Sequence, residues 1–190
     1  ATLSYVRRPI GRTEKPIHSY LSQFRCDLPV RLVAEAQRAA VARALSGGPL
    51  GGLPVLSATA PFQTGGRAGP EAFTDIPPGP LSLRSAADLQ PFPNTLCALW
   101  LTGAELRDWL ERAVSCFHRI RPGVSDQPLW DPRFPGHAAD TVTGVSYRID
   151  LTCPPLYDDR GNRAVSGIAP GRIRALSHIG APVAPEARFV

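Results

Sequence analysis

The sequence has no methionine and a single lysine, Lys15, beside 20 arginines. A chain without methionine has no initiator, so it is expected to be a fragment of a longer product. No charged n-region followed by an apolar h-region opens it, as a mature or excised chain would also lack. No apolar run approaches the ~20 residues that a membrane-spanning helix requires. There is no Cys-x-x-Cys pair, no His-x-His or His-Glu-x-x-His pattern, no Gly-x-Ser-x-Gly elbow and no Walker or dinucleotide glycine pattern. These absences exclude a zinc ribbon, a dithiol redox motif and the common nucleotide-cradling loops.

What is present is rich in Arg, Ala, Gly and Pro, residues that share GC-rich codons. The net charge of +5 and pI near 9.4 therefore read as codon bias. The charge gathers in residues 1–50 (+5) and nearly cancels after that, and no stretch interleaves arginine with aromatics as single-strand binders do. A nucleic-acid polymer is not an expected partner. Pro (21) and Gly (17) together make about a fifth of 190 residues, against a usual ~12%. Short elements, many turns and ordered loops follow.

Residues 1–27 read as an irregular lead-in. A helix near 28–46 begins after Asp27 as N-cap, has Pro29 in its first turn and ends at Gly47-Gly48. Val55–Ala58 reads as a short buried strand, 61–82 as loop and Leu83–Leu89 as a short helix. Thr95–Leu101 is apolar enough for a core strand. Thr102 and Glu105, three residues apart, form a capping-box pattern. Leu106, Trp109, Leu110, Ala113, Val114 and Phe117 then make one apolar helical face to about His118. Residues 121–140 read as loop, Gly144–Leu151 and Arg172–Leu176 as alternating strands, and Ala187–Val190 as the start of a third that is cut by the chain end. The fold class is α+β, a mixed β-sheet with packed helices, truncated at its C-terminal end.

Cys26, Cys97, Cys116 and Cys153 are far apart; Cys97 and Cys116, in apolar surroundings, read as small core residues. One bridge could form in an oxidising compartment, and spacing does not give its pairing. His18, His118, His137 and His178 are isolated, so no metal ligand set is expected. Asp158-Asp159-Arg160-Gly161-Asn162 reads as a hairpin turn. No self-sufficient catalytic group is visible. The loops suit binding better. Gly65-Gly66-Arg67 would offer backbone N–H groups and a guanidinium to phosphate or carboxylate. Phe92, held between Pro91 and Pro93, and Asn94 two residues on could stack a base and read its edge. By themselves these residues read more simply as a turn arginine and a loop ring capping the core.

A resemblance adds to this. Val6–Thr13, Pro16–Tyr20, Leu53–Phe62, Gly65–Arg67, Thr74–Pro77, Ala87–Leu89, Phe92–Leu96, Thr102–Glu111 and Gly144–Thr152 occur in order from about residue 5 onward. Together they resemble the C-terminal domain of the 5′-nucleotidase family, most closely its 2′,3′-cyclic-nucleotide 2′-phosphodiesterase/3′-nucleotidase branch.

The resemblance implies a single substrate-binding domain over 1–190, with 1–27 leading in from an N-terminal metallophosphoesterase domain in cis. It implies a periplasmic or cell-surface setting, a nucleotide or nucleoside ligand, no membrane span, and no cofactor on this chain. Two divalent metal ions are expected in the N-terminal domain. It matches Phe92 to a base-stacking ring, Asn94 to the polar residue beside the base and Arg67 to a substrate-facing arginine. His137 stands where the branch has a stacking Tyr, and Thr143 where it has a ligand-contacting Asp. The activity expected of the longer product is hydrolysis of 2′,3′-cyclic nucleotides and 3′-nucleotides. The alternatives are a 5′-nucleotidase or UDP-sugar hydrolase, and a degenerate, non-catalytic binding module.

Overall fold

In the computed structural model, which describes residues 2–65, 69–163 and 170–190, the Thr102 hydroxyl accepts the Glu105 backbone N–H. Glu105 returns the favour at the Thr102 N–H, 2.7 Å away. This capping box satisfies donors that the first helical turn leaves free. The Thr102 N–H and hydroxyl, both donating to Glu105 Oε2 (2.7 and 2.8 Å), hold the Glu105 carboxyl below its ordinary pKa. The cap fixes the start of the central helix, and the fold is arranged around it.

In chain order the elements are α1 (Thr2–Val6), β1 (Pro9–Thr13), β2 (Ile17–His18), α2 (Leu28–Leu45), β3 (Ser57–Thr59), β4 (Asp75–Ile76), β5 (Gly79–Ser82), α3 (Leu83–Leu89), β6 (Leu101–Thr102), α4 (Gly103–Ala113), β7 (Thr141–Thr143), β8 (Ser146–Ile149), β9 (Ile173–His178), β10 (Ala181–Pro182) and β11 (Arg188–Phe189). Single 3₁₀ turns lie at Val114–Cys116 and Gly136–Ala138. The strands form short antiparallel ladders: β1 with β5, β2 with β4, β3 with β7, β6 with β11, and β8 and β10 on either side of β9. Val190 donates to the Pro54 carbonyl and accepts from the Leu56 N–H, the pattern of a parallel pair around Val55. The sheet is therefore mixed, as expected for this α+β fold.

Leu106 and Leu110 on α4, with Val114 in the 3₁₀ turn that follows it, meet Leu56, Val142, Ile173, Leu176 and Phe189 from four strand segments in one buried cluster. Each such aliphatic side chain contributes about 1.5–3 kcal/mol relative to exposure. Gly103 lets the start of α4 come close to the chain at 183–184; a methyl there would overlap the Ala184 carbonyl oxygen.

The structure corrects several expectations. Thr95–Leu101 is not a core strand. Only Leu101–Thr102 is paired, opposite Phe189 and Arg188, while residues 91–100 join no ladder and are exposed. Cys97 is accordingly exposed, and Cys116 alone of that pair is buried. Asp27 stands at the N-cap position of α2, but its side chain takes the Ser22 hydroxyl at 2.8 Å and makes no capping bond. The span 61–82 contains β4 and β5, and α4 ends at Ala113 with a 3₁₀ turn, short of His118. No helix among the described residues is long and apolar enough to cross a membrane.

Candidate functional site

The exposed run after α3 borders a cavity of about 740 Å³. Helix α2 forms one wall through Leu32, Val33 and Gln37, and α4 and β7 form another through Leu106, Trp109 and Val142. The lining is mainly apolar, and its polar groups are few: Gln37, Ser57, Gln90, Asn94, Thr95 and Asp140. Asp140 is held by the Trp109 indole N–H at 2.8 Å. Burial raises its carboxyl pKa, while that bond and the charge of His137 pull the other way. Gln37 accepts the hydroxyls of Ser57 (2.6 Å) and Thr59 (3.2 Å). A mostly dry hollow with a few fixed polar groups is the usual form of a small-molecule site.

Phe92 stands 53% exposed just outside this lining. Its carbonyl accepts the Asn94 N–H at 2.8 Å, a tight turn across Pro93. Its ring meets Phe62, with centroids 5.6 Å apart and planes at 71°. Asn94 and Phe62 both line the cavity. Among the described residues, no three His, Cys, Asp or Glu side chains come together as a metal-binding group.

The profile of the 5′-nucleotidase C-terminal domain matches residues 9–190. The chain belongs to this family. It is 37% identical over 190 residues to the trifunctional nucleotide phosphoesterase protein YfkN of Bacillus subtilis, covering all of this chain and 13% of that protein. It is 39% identical over 196 residues to the 2′,3′-cyclic-nucleotide 2′-phosphodiesterase/3′-nucleotidase of Haemophilus influenzae, covering all of this chain and 29% of that one. The chain thus spans less than a third of either relative. A 5′-nucleotidase precursor structure from Thermus thermophilus superposes with a TM-score of 0.62 at 16% identity, over 99% of this chain and 29% of that one, and shares the fold.

Within this 5′-nucleotidase C-terminal domain the five expected site residues are placed as follows. Phe92 and Asn94 lie together at the cavity. His137 is exposed on the 3₁₀ turn Gly136–Ala138. That turn packs by Thr64 and Gln23: a methyl on Gly136 would stand 3.6 Å from Thr64 Oγ1 and 3.2 Å from Gln23 Nε2. It therefore sits beside the start of Gly65-Gly66-Arg67. Phe92 and His137 are not in ring contact. Thr143, on β7, lines a second hollow of about 420 Å³ with Cys26, Arg31 and Tyr147, and does not share a cavity with Asn94. Asp140 and Val142, on the same segment, line both hollows. Arg67 lies outside the described residues.

Reading the residues alone missed Phe62, Trp109 and Asp140. Phe62 lay within a stretch that carried the family resemblance, but its partner Phe92 is in a different loop. The Trp109–Asp140 bond joins positions 31 apart, which no local pattern announces.

Proposed function

We propose that the chain is the nucleotide-recognition part of a metal-dependent phosphoesterase that hydrolyses 2′,3′-cyclic nucleotides and 3′-nucleotides. In this reading an N-terminal metallophosphoesterase domain in cis holds two divalent metal ions and performs the hydrolysis, in the periplasm or at the cell surface. The His, Cys, Asp and Glu side chains described here do not come together for such ions, so no step of the chemistry is assigned to a metal on this chain. The names of the relatives, with their phosphodiesterase and 3′-nucleotidase activities, support the reaction class.

The observation that carries the reading is Phe92: a half-exposed ring on a backbone held by prolines on both sides, with Asn94 lining a mainly apolar cavity beside it. An exposed aromatic of this kind offers a face to a base, and the amide beside it offers both a donor and an acceptor. His137 would approach the ligand from the Gly65 side, and the charge of Arg67 would suit its phosphate. Thr143 stands in the neighbouring hollow and supplies no carboxylate.

The test is competitive inhibition by adenosine in the protein as its gene encodes it. Phe92→Ala is expected to weaken adenosine by ~1–3 kcal/mol, the scale of one base–aromatic stack. Unchanged affinity would leave the fold without the pocket. Turnover of 2′,3′-cyclic AMP, 3′-AMP, 5′-AMP and a UDP-sugar in one panel separates this reading from a 5′-nucleotidase or UDP-sugar hydrolase; no turnover of any would favour a non-catalytic module.

A further inference from the structure

We infer that Phe62 and Gln63 are positioning residues that hold the Phe92 ring in place for the ligand. This inference rests on the reading of Phe92 as the stacking ring. Flanking prolines fix the backbone of Phe92 but leave its χ1 and χ2 free, and a ring that is 53% exposed has little packing to settle them. Its ring neighbour is Phe62, at 5.6 Å and 71°. An edge-to-face contact of this kind restrains the ring and leaves at least one face of Phe92 open, whichever ring supplies the edge.

A ring can orient another only if it is itself fixed, and residues 62–63 are tied down on two sides. The Gln63 amide donates to the Asp88 carbonyl at 2.6 Å, in the last turn of the helix that leads into Phe92. Thr74 Oγ1 donates to the same carbonyl at 2.9 Å. On the other side the Ser19 hydroxyl donates to the Gln63 carbonyl. Ser19 in turn is held by Thr74: the Thr74 N–H donates to Ser19 Oγ at 2.9 Å, and the Ser19 N–H donates to the Thr74 carbonyl at 3.0 Å. Ser19 and Thr74 are both buried. The segment carrying Phe62 and the segment leading to Phe92 are thus joined at two levels, ring to ring and Gln63 to Asp88. Neither Phe62 nor Gln63 need touch the ligand for this to work. Preorganising a stacking ring reduces the ordering cost of binding.

The experiment compares Phe62→Leu, Phe62→Tyr, Gln63→Met and Phe92→Ala in the protein as its gene encodes it. The readouts are adenosine inhibition, KM and kcat for 3′-AMP, inhibition by inorganic phosphate, and thermal melting. Phe62→Leu is expected to weaken adenosine about three- to ten-fold, the range of one aromatic pair, and to raise KM for 3′-AMP by the same factor with kcat unchanged. Phosphate inhibition, which needs no base, should not move, and Phe62→Tyr should restore binding. Gln63→Met should give a smaller loss in the same direction, and it keeps the test open if Phe62→Leu does not fold. The inference is overturned if Phe92→Ala weakens adenosine while Phe62→Leu and Gln63→Met do not. It is equally overturned if the Phe62→Leu and Gln63→Met losses extend to phosphate in proportion, the mark of a general structural role. If Phe92→Ala itself has no effect, the reading of Phe92 fails and this inference goes with it.

Discussion

The buried side chains of Glu111 and Arg172 lie in one packed region and do not pair charge to charge. The Glu111 carboxylate accepts the backbone N–H groups of Arg172 (2.7 Å) and Ile173 (2.8 Å). The Arg172 guanidinium donates to the carbonyls of Cys153 (3.0 Å), Val114 and Phe117 (both 2.8 Å). Each charged group thus closes off backbone groups that the end of α4 and the start of β9 would leave unsatisfied. Burial pulls the Arg172 pKa down from its ordinary value, and the guanidinium remains charged at any working pH.

The first prediction follows from that geometry. Glu111→Ala strips two buried N–H groups of their acceptor and leaves Arg172 without a nearby negative charge. It is expected to cost about 3–5 kcal/mol, read from urea midpoints. Glu111→Gln keeps one carbonyl oxygen and is expected to cost ~1–3 kcal/mol. Equal losses for the two variants would place the effect in the lost carboxylate charge, because Gln keeps both the side-chain volume and one accepting oxygen.

Much of this fold was legible locally. The Thr102–Glu105 spacing announced a capping box because its two bonds span three residues and need nothing from elsewhere. The apolar face of α4 was readable for the same reason: helical periodicity marks a side, and Leu106 and Leu110 fall on it. The Thr95–Leu101 run was misread because an apolar stretch signals burial without saying what covers it, and a strand needs a partner that sequence does not specify. The site divided along the same line. Phe92 between two prolines was conspicuous, whereas Phe62, Gln63 and Asp140 act through contacts formed only when distant segments meet.

The cysteines give a direct test of the corrected placement. Cys116 is fully buried and its thiol pKa is pushed up to about 12 by burial, so almost no thiolate exists near neutrality. Cys97 is exposed. With native protein and a thiol-specific reagent at pH 8, Cys97 is expected to be labelled rapidly and Cys116 only on unfolding, with peptide mapping to assign the sites. Cys26, whose thiol pKa burial also raises, should react more slowly than Cys97. Protection of Cys97 comparable to that of Cys116 would restore the core-strand expectation.

Asp140 sets a pH dependence. Its folded pKa is raised by burial, so the folded protein binds this proton more readily than the unfolded chain does. The stabilisation from that proton is complete below the ordinary Asp value near 3.9 and is lost as pH rises through the raised folded value. Asn at this position keeps an oxygen for the Trp109 N–H and carries no charge at any pH. Asp140→Asn is therefore expected to be more stable than the parent at pH 7 and indistinguishable from it at pH 3.5, by urea midpoints at both. A difference that persists at pH 3.5 would show that the charge is not the cause.

The last prediction concerns residues 95–100. They carry no charged side chain, and Leu99 is 59% exposed with Leu96 and Trp100 close behind. Among the described residues none of their backbone groups joins a ladder; pairing stops at Leu101, opposite Phe189. Natural edge strands are blunted by lysines, prolines or bulges, and here Pro93 guards only the near end. An exposed, uncharged, apolar run whose backbone joins no ladder is a template for the same segment in another copy. A 190-residue protein of this sequence is therefore expected to associate as its concentration rises, by sedimentation velocity. Leu96→Lys with Leu99→Lys should suppress that association and leave the melting temperature nearly unchanged, because exposed substitutions usually shift stability by under about 0.5 kcal/mol. Leu101→Lys should instead lower the melting temperature, because Leu101 is paired with Phe189 and packs against the core. Association that survives the double lysine variant would assign it to another face, and a loss of stability in that variant would mean that Leu96 and Leu99 are covered in solution.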